Sequence, residues 1–167
     1  MGEPVYLSLG SNVGNRAGNL HTAVDRLRAF GEVVAVSSLY ETEPVEFTAQ
    51  PWFLNCAVKL NTEQTPQQLL AGILEIEKQL GRQRTQEKGP RIIDLDILLF
   101  GNLVLHGTGL TIPHPAMHER RFVLEPLAEI APDVLHPVLK RTIRELRDAL
   151  APGQKTKPAT DFTDAHG

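Results

Sequence analysis

The segment Ile92-Ile93-Asp94-Leu95-Asp96-Ile97-Leu98-Leu99-Phe100 constrains the fold more than any other. It is among the most apolar stretches in the chain, and two aspartates interrupt it at alternate positions. A strand alternates its faces, so Asp94 and Asp96 point the same way, with Cα atoms about 6.5 Å apart. Ile93, Leu95 and Ile97 point the other way, into a core. The chain therefore needs a sheet with one face packed and a neighbouring patch able to hold two anions. A solvated face near a sheet edge would satisfy this, since antiparallel sheets often face water on one side. A bound cation would also satisfy it. Mg²⁺ fits best, being a hard ion held by one or two carboxylates together with substrate phosphates.

The rest of the pattern supplies the sheet. Residues 5–9 alternate as a strand, and the turn formers Gly10-Ser11-Asn12-Val13-Gly14-Asn15 follow. Residues 16–30 carry Leu20, Val24 and Leu27 at helical spacing, with Gly31 as a stop. Residues 32–38 read as a β-branched strand, and 40–51, with Pro44 and Pro51, as loop. Residues 52–60 form a further strand with Trp52, Leu54, Cys56, Val58 and Leu60 on one face. Thr65-Pro66-Gln67-Gln68 opens a second helix that runs to Leu80, with Thr65 as cap and Gln68 closing a capping box. After the aspartate strand, residues 103–105 are expected as its short partner. A helical stretch near 117–130 and a last helix at 142–150, with a Thr142/Glu145 capping box, complete the set. The order β-α-β-β-α-β predicts an α+β fold: a ferredoxin-like antiparallel sheet with helices packed on it in three α-β-α layers. Its 167 residues suit a single domain over 1–151, with a polar, flexible tail over 152–167.

Composition narrows the class of function. Seventeen Lys and Arg against 20 Asp and Glu give a charge of -3 and a pI near 6.1. A general nucleic-acid binder is usually strongly basic, so that class loses weight. The single cysteine, Cys56, excludes an internal disulfide framework and a Cys-rich zinc site. The first residues lack the basic and apolar regions of a secretory signal, and no apolar run approaches the ~18 residues of a membrane span. A cytoplasmic monomer that handles small molecules, with no nucleic-acid or membrane partner, is the expectation.

Three further features sit near the aspartates in the sequence. Glu77 falls within the apolar arc of Leu69, Leu70, Ile73, Leu74, Ile76 and Leu80 on the second helix. A buried carboxylate needs a partner, so Glu77 either pairs with an arginine or caps a loop backbone. Residues 82–91 hold Arg82, Arg84, Lys88 and Arg91 against Glu87, a net +3 leading into the aspartate strand. His114, His118, Arg120 and Arg121 cluster further on. Carboxylates for metal and arginines for phosphate are the parts of phosphoryl transfer. No GxxxxGK[ST] or GxGxxG occurs, so a nucleotide would be held by another route. Phe53 and Asn55 share the strand face opposite Trp52 and Leu54. One ring to stack and one amide to read an edge suit a flat heteroaromatic ligand; a surface Phe beside a turn-stabilising Asn is the plainer alternative.

Gly89-Pro90-Arg91-Ile92-Ile93-Asp94-Leu95-Asp96-Ile97-Leu98 resembles the signature of the hydroxymethyl-dihydropterin pyrophosphokinases of folate synthesis. Leu9-Gly10-Ser11-Asn12, Tyr40-Glu41-Thr42, Phe53-Leu54-Asn55, Glu77, Gly81-Arg82 and Pro113-His114 with Met117 and Arg120 follow in compatible order over about 5–130. The resemblance implies transfer of pyrophosphate from ATP to the hydroxymethyl group of a reduced pterin, releasing AMP. It implies that Asp94 and Asp96 bind two Mg²⁺ ions and act in catalysis with Arg82 and Arg91. It places Glu77, Arg84, Ile97, Thr111, His114 and Arg120 beside the nucleotide. It places Thr42, Val45, Phe53, Asn55 and Phe122 around the pterin. The chain departs from some members at Leu74, Lys88, Gly109 and Pro115. A metal-dependent phosphohydrolase or nuclease, and a non-catalytic ferredoxin-like binding module, are the rival readings.

Overall fold

The computed structural model describes residues 2–42, 52–81, 92–152 and 156–158. Six strands build the main sheet, five of them in the order β5-β1-β4-β3-β8, and β2 pairs with β4 beside β3. They are β1 (Glu3–Ser11), β2 (Glu32–Val36), β3 (Tyr40–Thr42), β4 (Phe53–Thr62), β5 (Asp94–Phe100) and β8 (Thr156–Pro158). All described pairings in it are antiparallel. β2 and β3 lie end to end along one edge of β4. Ser37 bridges the gap: its backbone N–H donates to the Ala57 carbonyl at 2.9 Å, and its hydroxyl accepts from the Ala57 N–H at 2.8 Å.

One face of the sheet is aliphatic throughout. Val5, Leu7 and Leu9 of β1, Leu54, Cys56, Val58 and Leu60 of β4, and Ile93, Leu95 and Ile97 at β5 form it. Helices α1 (Arg16–Leu27) and α2 (Pro66–Gln79) close over it with Ala17, Leu20, Leu27, Leu69, Ile73 and Ile76. Burying each such side chain contributes about 1.5–3 kcal/mol. Thr65 caps α2 with both bonds of the expected box, and Asn15 caps α1 by accepting from the Gly18 N–H. The α1 helix stops at Leu27 rather than Phe30, and the next three N–H groups bond back three residues in a tightened last turn.

Two further helices pack on part of the opposite face. Tyr6, Ala57, Leu98 and Leu99 meet Val123, Leu124 and Leu127 of α3 (Arg121–Ile130) and Ile143 and Leu146 of α4 (Ile143–Asp148). Sandwiching of the sheet between two helix pairs matches the expected three layers. The rest of that face carries Asp94, Asp96, Ser8, Gly10, Phe53, Asn55 and Thr42, of which Ser8, Gly10, Asn55 and Thr42 are buried. A bulge makes the division possible. Leu7 pairs with Ile97 and Tyr6 with Leu99, so Leu98 is an extra residue. Phe100 returns to the aliphatic face in consequence.

Three expectations change. Residues 40–42 are a strand rather than loop, because Tyr40–Thr42 finds the free edge of β4 beyond the Ser37 break. The short strands after β5 do not pair with it. Instead β6 (Leu105–Gly107) and β7 (Leu110–Ile112) form their own hairpin around Gly109, whose φ of 75° suits the turn. The tail contributes β8, which pairs with β3.

His136 sits in the connection between α3 and α4, 4% exposed. Its Nδ1 accepts from the N–H groups of Val138 at 3.2 Å and Leu139 at 3.0 Å. Burial, with His118 as a lesser cause, holds its pKa below the ordinary 6.5. A group kept neutral by folding contributes stability that is complete above the unfolded value and lost as pH falls below it. Urea unfolding between pH 7 and pH 5 should therefore show falling stability, and His136→Asn, which keeps an acceptor but cannot titrate, should show a shallower slope.

Candidate active site

This polar half-face is built in rows across the strands. Asp94 pairs with Gly10, Gly10 with Asn55, and Asn55 with Tyr40. One row on, Asp96 pairs with Ser8 and Ser8 with Ala57. Asp94 and Asn55 thus stand two strand spacings apart, roughly 10 Å, with Gly10 between them. Both aspartates are half-buried and both take part in polar contacts. Ile93, Leu95 and Ile97 are buried behind them, as the alternation requires.

Glu77 explains its place on an apolar helix face. It is 3% exposed, and its Oε2 accepts from the Leu95 N–H at 2.9 Å. Of the two expected roles the backbone one is seen, with a strand rather than a loop as partner. Leu95 lies between the two aspartates, so the bond fixes the backbone from which both project. The edge of β5 is held again at Leu98, whose carbonyl accepts from the His114 N–H at 3.0 Å.

His114 joins the acidic end of the site. Its pKa is lowered by burial first and by the Arg120 charge second, while Asp94 pulls the other way. The imidazole is thus within electrostatic reach of both. Its Nδ1 accepts from the Ala116 N–H at 3.1 Å, which leaves Nε2 as the protonated nitrogen of the neutral ring. Met117, fully buried, anchors the single 3-10 turn Met117–Glu119 that delivers Arg120. The Arg120 guanidinium lies over the Phe122 ring, 5.5 Å from its centroid, which steadies both side chains. Thr111 lies on β7 next to Ile112 and Pro113, whose peptide bond is cis.

The amide end is equally ordered. Asn55 is buried, and its Nδ2 donates to Thr42 Oγ1 at 2.6 Å. Phe53 pairs with Thr42 across the strands and is half-buried. The plainer alternative of a surface Phe beside a turn Asn is excluded by that burial and bond. Ile97 points to the aliphatic layer. Arg82, Arg84, Arg91 and Val45 lie outside the described residues.

Some ordering residues escape sequence reasoning. Asn19 Nδ2 lies within hydrogen-bond distance of Ser11 Oγ, the Val13 carbonyl and the Ile92 carbonyl, at 3.0–3.2 Å, tying the turn after β1 to the start of β5. Arg16 donates to the Trp52 carbonyl at 2.7 Å and stands 3.8 Å from Glu41. Tyr40 donates to Glu129 Oε1 at 2.6 Å, and burial plus that carboxylate hold its hydroxyl pKa well above the usual. Such polar side chains on helix flanks carry no signal until the flank's neighbour is known.

The 7,8-dihydro-6-hydroxymethylpterin-pyrophosphokinase family model matches residues 6–132. The chain belongs to this family. It is 41% identical over 143 residues to the 2-amino-4-hydroxy-6-hydroxymethyldihydropteridine pyrophosphokinase of Aquifex aeolicus, covering 86% of this chain and 89% of that protein. The Bacillus subtilis protein of the same name is 46% identical over 136 residues, covering 80% and 81%. The folic acid synthesis protein fol1 of Pneumocystis carinii is 46% identical over 137 residues, which are 81% of this chain and 18% of that protein. The chain thus spans under a fifth of that fungal relative and most of the bacterial ones. The Plasmodium falciparum HPPK-DHPS structure superposes with a TM-score of 0.74 at 18% identity, over 89% of this chain and 44% of that one, a likeness of fold. Among the described residues no helix is long and apolar enough to cross a membrane.

Removing the Glu77 carboxylate tests its place. Glu77→Ala leaves the Leu95 N–H without its acceptor and should cost about 1–3 kcal/mol. Thermal melting and urea titration measure the loss. Glu77→Gln, which can still accept through its amide oxygen, should recover most of it; equal losses in both variants would remove the backbone role.

Proposed function

We propose that this chain transfers the diphosphoryl group of ATP to the hydroxymethyl oxygen of 6-hydroxymethyl-7,8-dihydropterin, releasing AMP, in folate synthesis. The observation that carries the reading is the single row Asp94–Gly10–Asn55, with Asp94 in electrostatic reach of His114 at one end and a buried amide beside Phe53 at the other. Family membership over residues 6–132 supports it. The strand order, with β2 and β3 taken as one edge, supports the ferredoxin-like description. The acidic balance of charge supports small-molecule substrates over nucleic acid. The reading further includes a cytoplasmic monomer acting without a membrane partner; the buried free thiol of Cys56 needs no oxidising compartment.

Asp94 and Asp96 suit Mg²⁺, two ions in this reading. They are hard oxygen donors, half-buried, on one face and held at fixed spacing by Glu77. Among the described residues no group of three or more His, Cys, Asp or Glu gathers to hold a metal, so substrate oxygens and water complete the shell, as Mg²⁺ usually has it. When bound, the ions supply charge neutralisation on the phosphate oxygens.

The chain's own groups position the rest. Thr42 orients the Asn55 amide, which accepts from and donates to the edge of the pterin, while Phe53 and Phe122 stack on its faces, with Val45 beside them. His114 offers its Nε2–H, and Arg120 a fork of donors, to phosphate oxygens. Arg84 and Thr111 line the nucleotide side, Glu77 acts through Leu95, and Ile97, whose side chain packs in the aliphatic layer, contributes its backbone only. The pterin hydroxymethyl oxygen forms a bond to the β-phosphorus in line, the bond from that phosphorus to the α,β-bridging oxygen breaks, and the hydroxyl proton passes to solvent. Arg82 and Arg91 offset charge building on the transferred group.

An AMP-release assay with ATP, Mg²⁺ and the hydroxymethyl-dihydropterin tests the reaction. AMP should appear only when the pterin is present; phosphate release without it would favour the phosphohydrolase. Asp96→Ala should lose turnover by about a thousandfold or more with an unchanged melting temperature, and full activity with Ala at both aspartates would sink the assignment. Arg82→Ala should lower kcat far more than it weakens ATP binding, and a pure KM effect would remove its role on the transferred group.

A further inference from the structure

We infer that Gly10 is a specificity-determining residue, whose missing side chain both frees the floor between the aspartates and the amide and lets Asn55 hold its orientation. This rests on the pterin reading of the site. Gly10 lies inside β1, paired on one side with Asp94 and on the other with Asn55. Glycine in a strand interior costs stability and packs nothing, so its presence needs a reason. Backbone conformation gives none, because its φ lies outside the left-handed region that Gly14, Gly81, Gly101 and Gly109 occupy.

Space gives the reason. A Cβ at Gly10 would stand 2.7 Å from Asn55 Oδ1 and 3.5 Å from Phe53 Cδ1, two side chains of the amide end. The Asn55 oxygen cannot swing aside cheaply. The amide is 2% exposed, and its nitrogen is held by Thr42 Oγ1 at 2.6 Å. An added methyl therefore turns the amide away from Thr42 and from any ligand edge it reads.

The same gap sets a length. A ligand read by Asn55 and reacting beside Asp94 must cross β1 directly over Gly10, spanning roughly 10 Å from strand to strand. A flat bicyclic ring carrying one exocyclic carbon and its oxygen suits that crossing. A side chain at position 10 would stand in its path. The gap thus selects a planar heterobicycle at the amide end, while the nucleotide side, with His114 and Arg120, lies beyond Asp94 and is untouched by it.

Calorimetry on Gly10→Ala separates the possibilities. Binding of a non-hydrolysable ATP analogue with Mg²⁺ is measured first, then binding of 6-hydroxymethylpterin to that complex. We expect the pterin Kd to rise about tenfold or more, the nucleotide Kd to stay within about twofold, and kcat at saturating pterin to fall far less than kcat/KM. The melting temperature should fall modestly, because the buried Asn55 amide loses its bond to Thr42 while nucleotide binding is kept. Unchanged pterin affinity in the variant overturns the inference. So does a parallel loss of nucleotide binding and melting temperature, which would make Gly10 a packing residue of the sheet. Failure of the wild-type chain to bind the pterin would instead overturn the substrate reading itself.

Discussion

The bond from the Leu95 N–H to Glu77 joins the aliphatic layer to the reacting layer. An anion among leucines and isoleucines would be costly if it had no partner. Here it receives one from the backbone of the strand it packs against, and that strand residue sits between the two aspartates. Helix packing and aspartate spacing are therefore set by the same contact. With the His114 N–H on the Leu98 carbonyl, it gives β5 partners along the edge that no described strand covers, and the strand can stand at the sheet margin without fraying.

Among the described residues the second helix pair covers one part of its sheet face and leaves the polar part to other neighbours. Val123, Leu124 and Leu127 press on Tyr6, Ala57 and the bulged Leu98–Leu99 pair. Beyond them the sheet surface is polar. The N-terminus of α3 brings Arg120 and Phe122 together, the guanidinium over the ring. Among the described residues, strands and a helix terminus carry this cation, ring, acid pair and amide.

Much of this is legible in the sequence for definite physical reasons. Period-two alternation at 92–97 fixes the faces of β5, and helical periodicity places Glu77 where a carboxylate has to find a partner. The capping boxes at Thr65 and Thr142 mark their helix starts because the paired residues are three apart and local. What escapes is whatever depends on pairing at a distance. Tyr40–Thr42 is a strand only because β4 offers an edge there, and the hairpin of β6 with β7 depends on a competition between partners that local pattern does not decide. The Leu98 bulge is invisible for the same reason, since an apolar run reads alike with or without an extra residue. Asn19 and Arg16 look like ordinary surface positions of a helix until the strands they tie are in place.

The bulge bears on how the chain finds its register. Were β5 to slip by one residue against β1, every side chain before Leu98 would change faces. Asp94 and Asp96 would then enter the aliphatic layer under α2, at several kilocalories per mole for each buried charge. Few misaligned sheets could survive that penalty, and the bulge pins the one alignment in which both halves of the strand meet their layers. The two carboxylates thereby serve the chain before any substrate arrives, as markers that reject wrong strand pairings during folding.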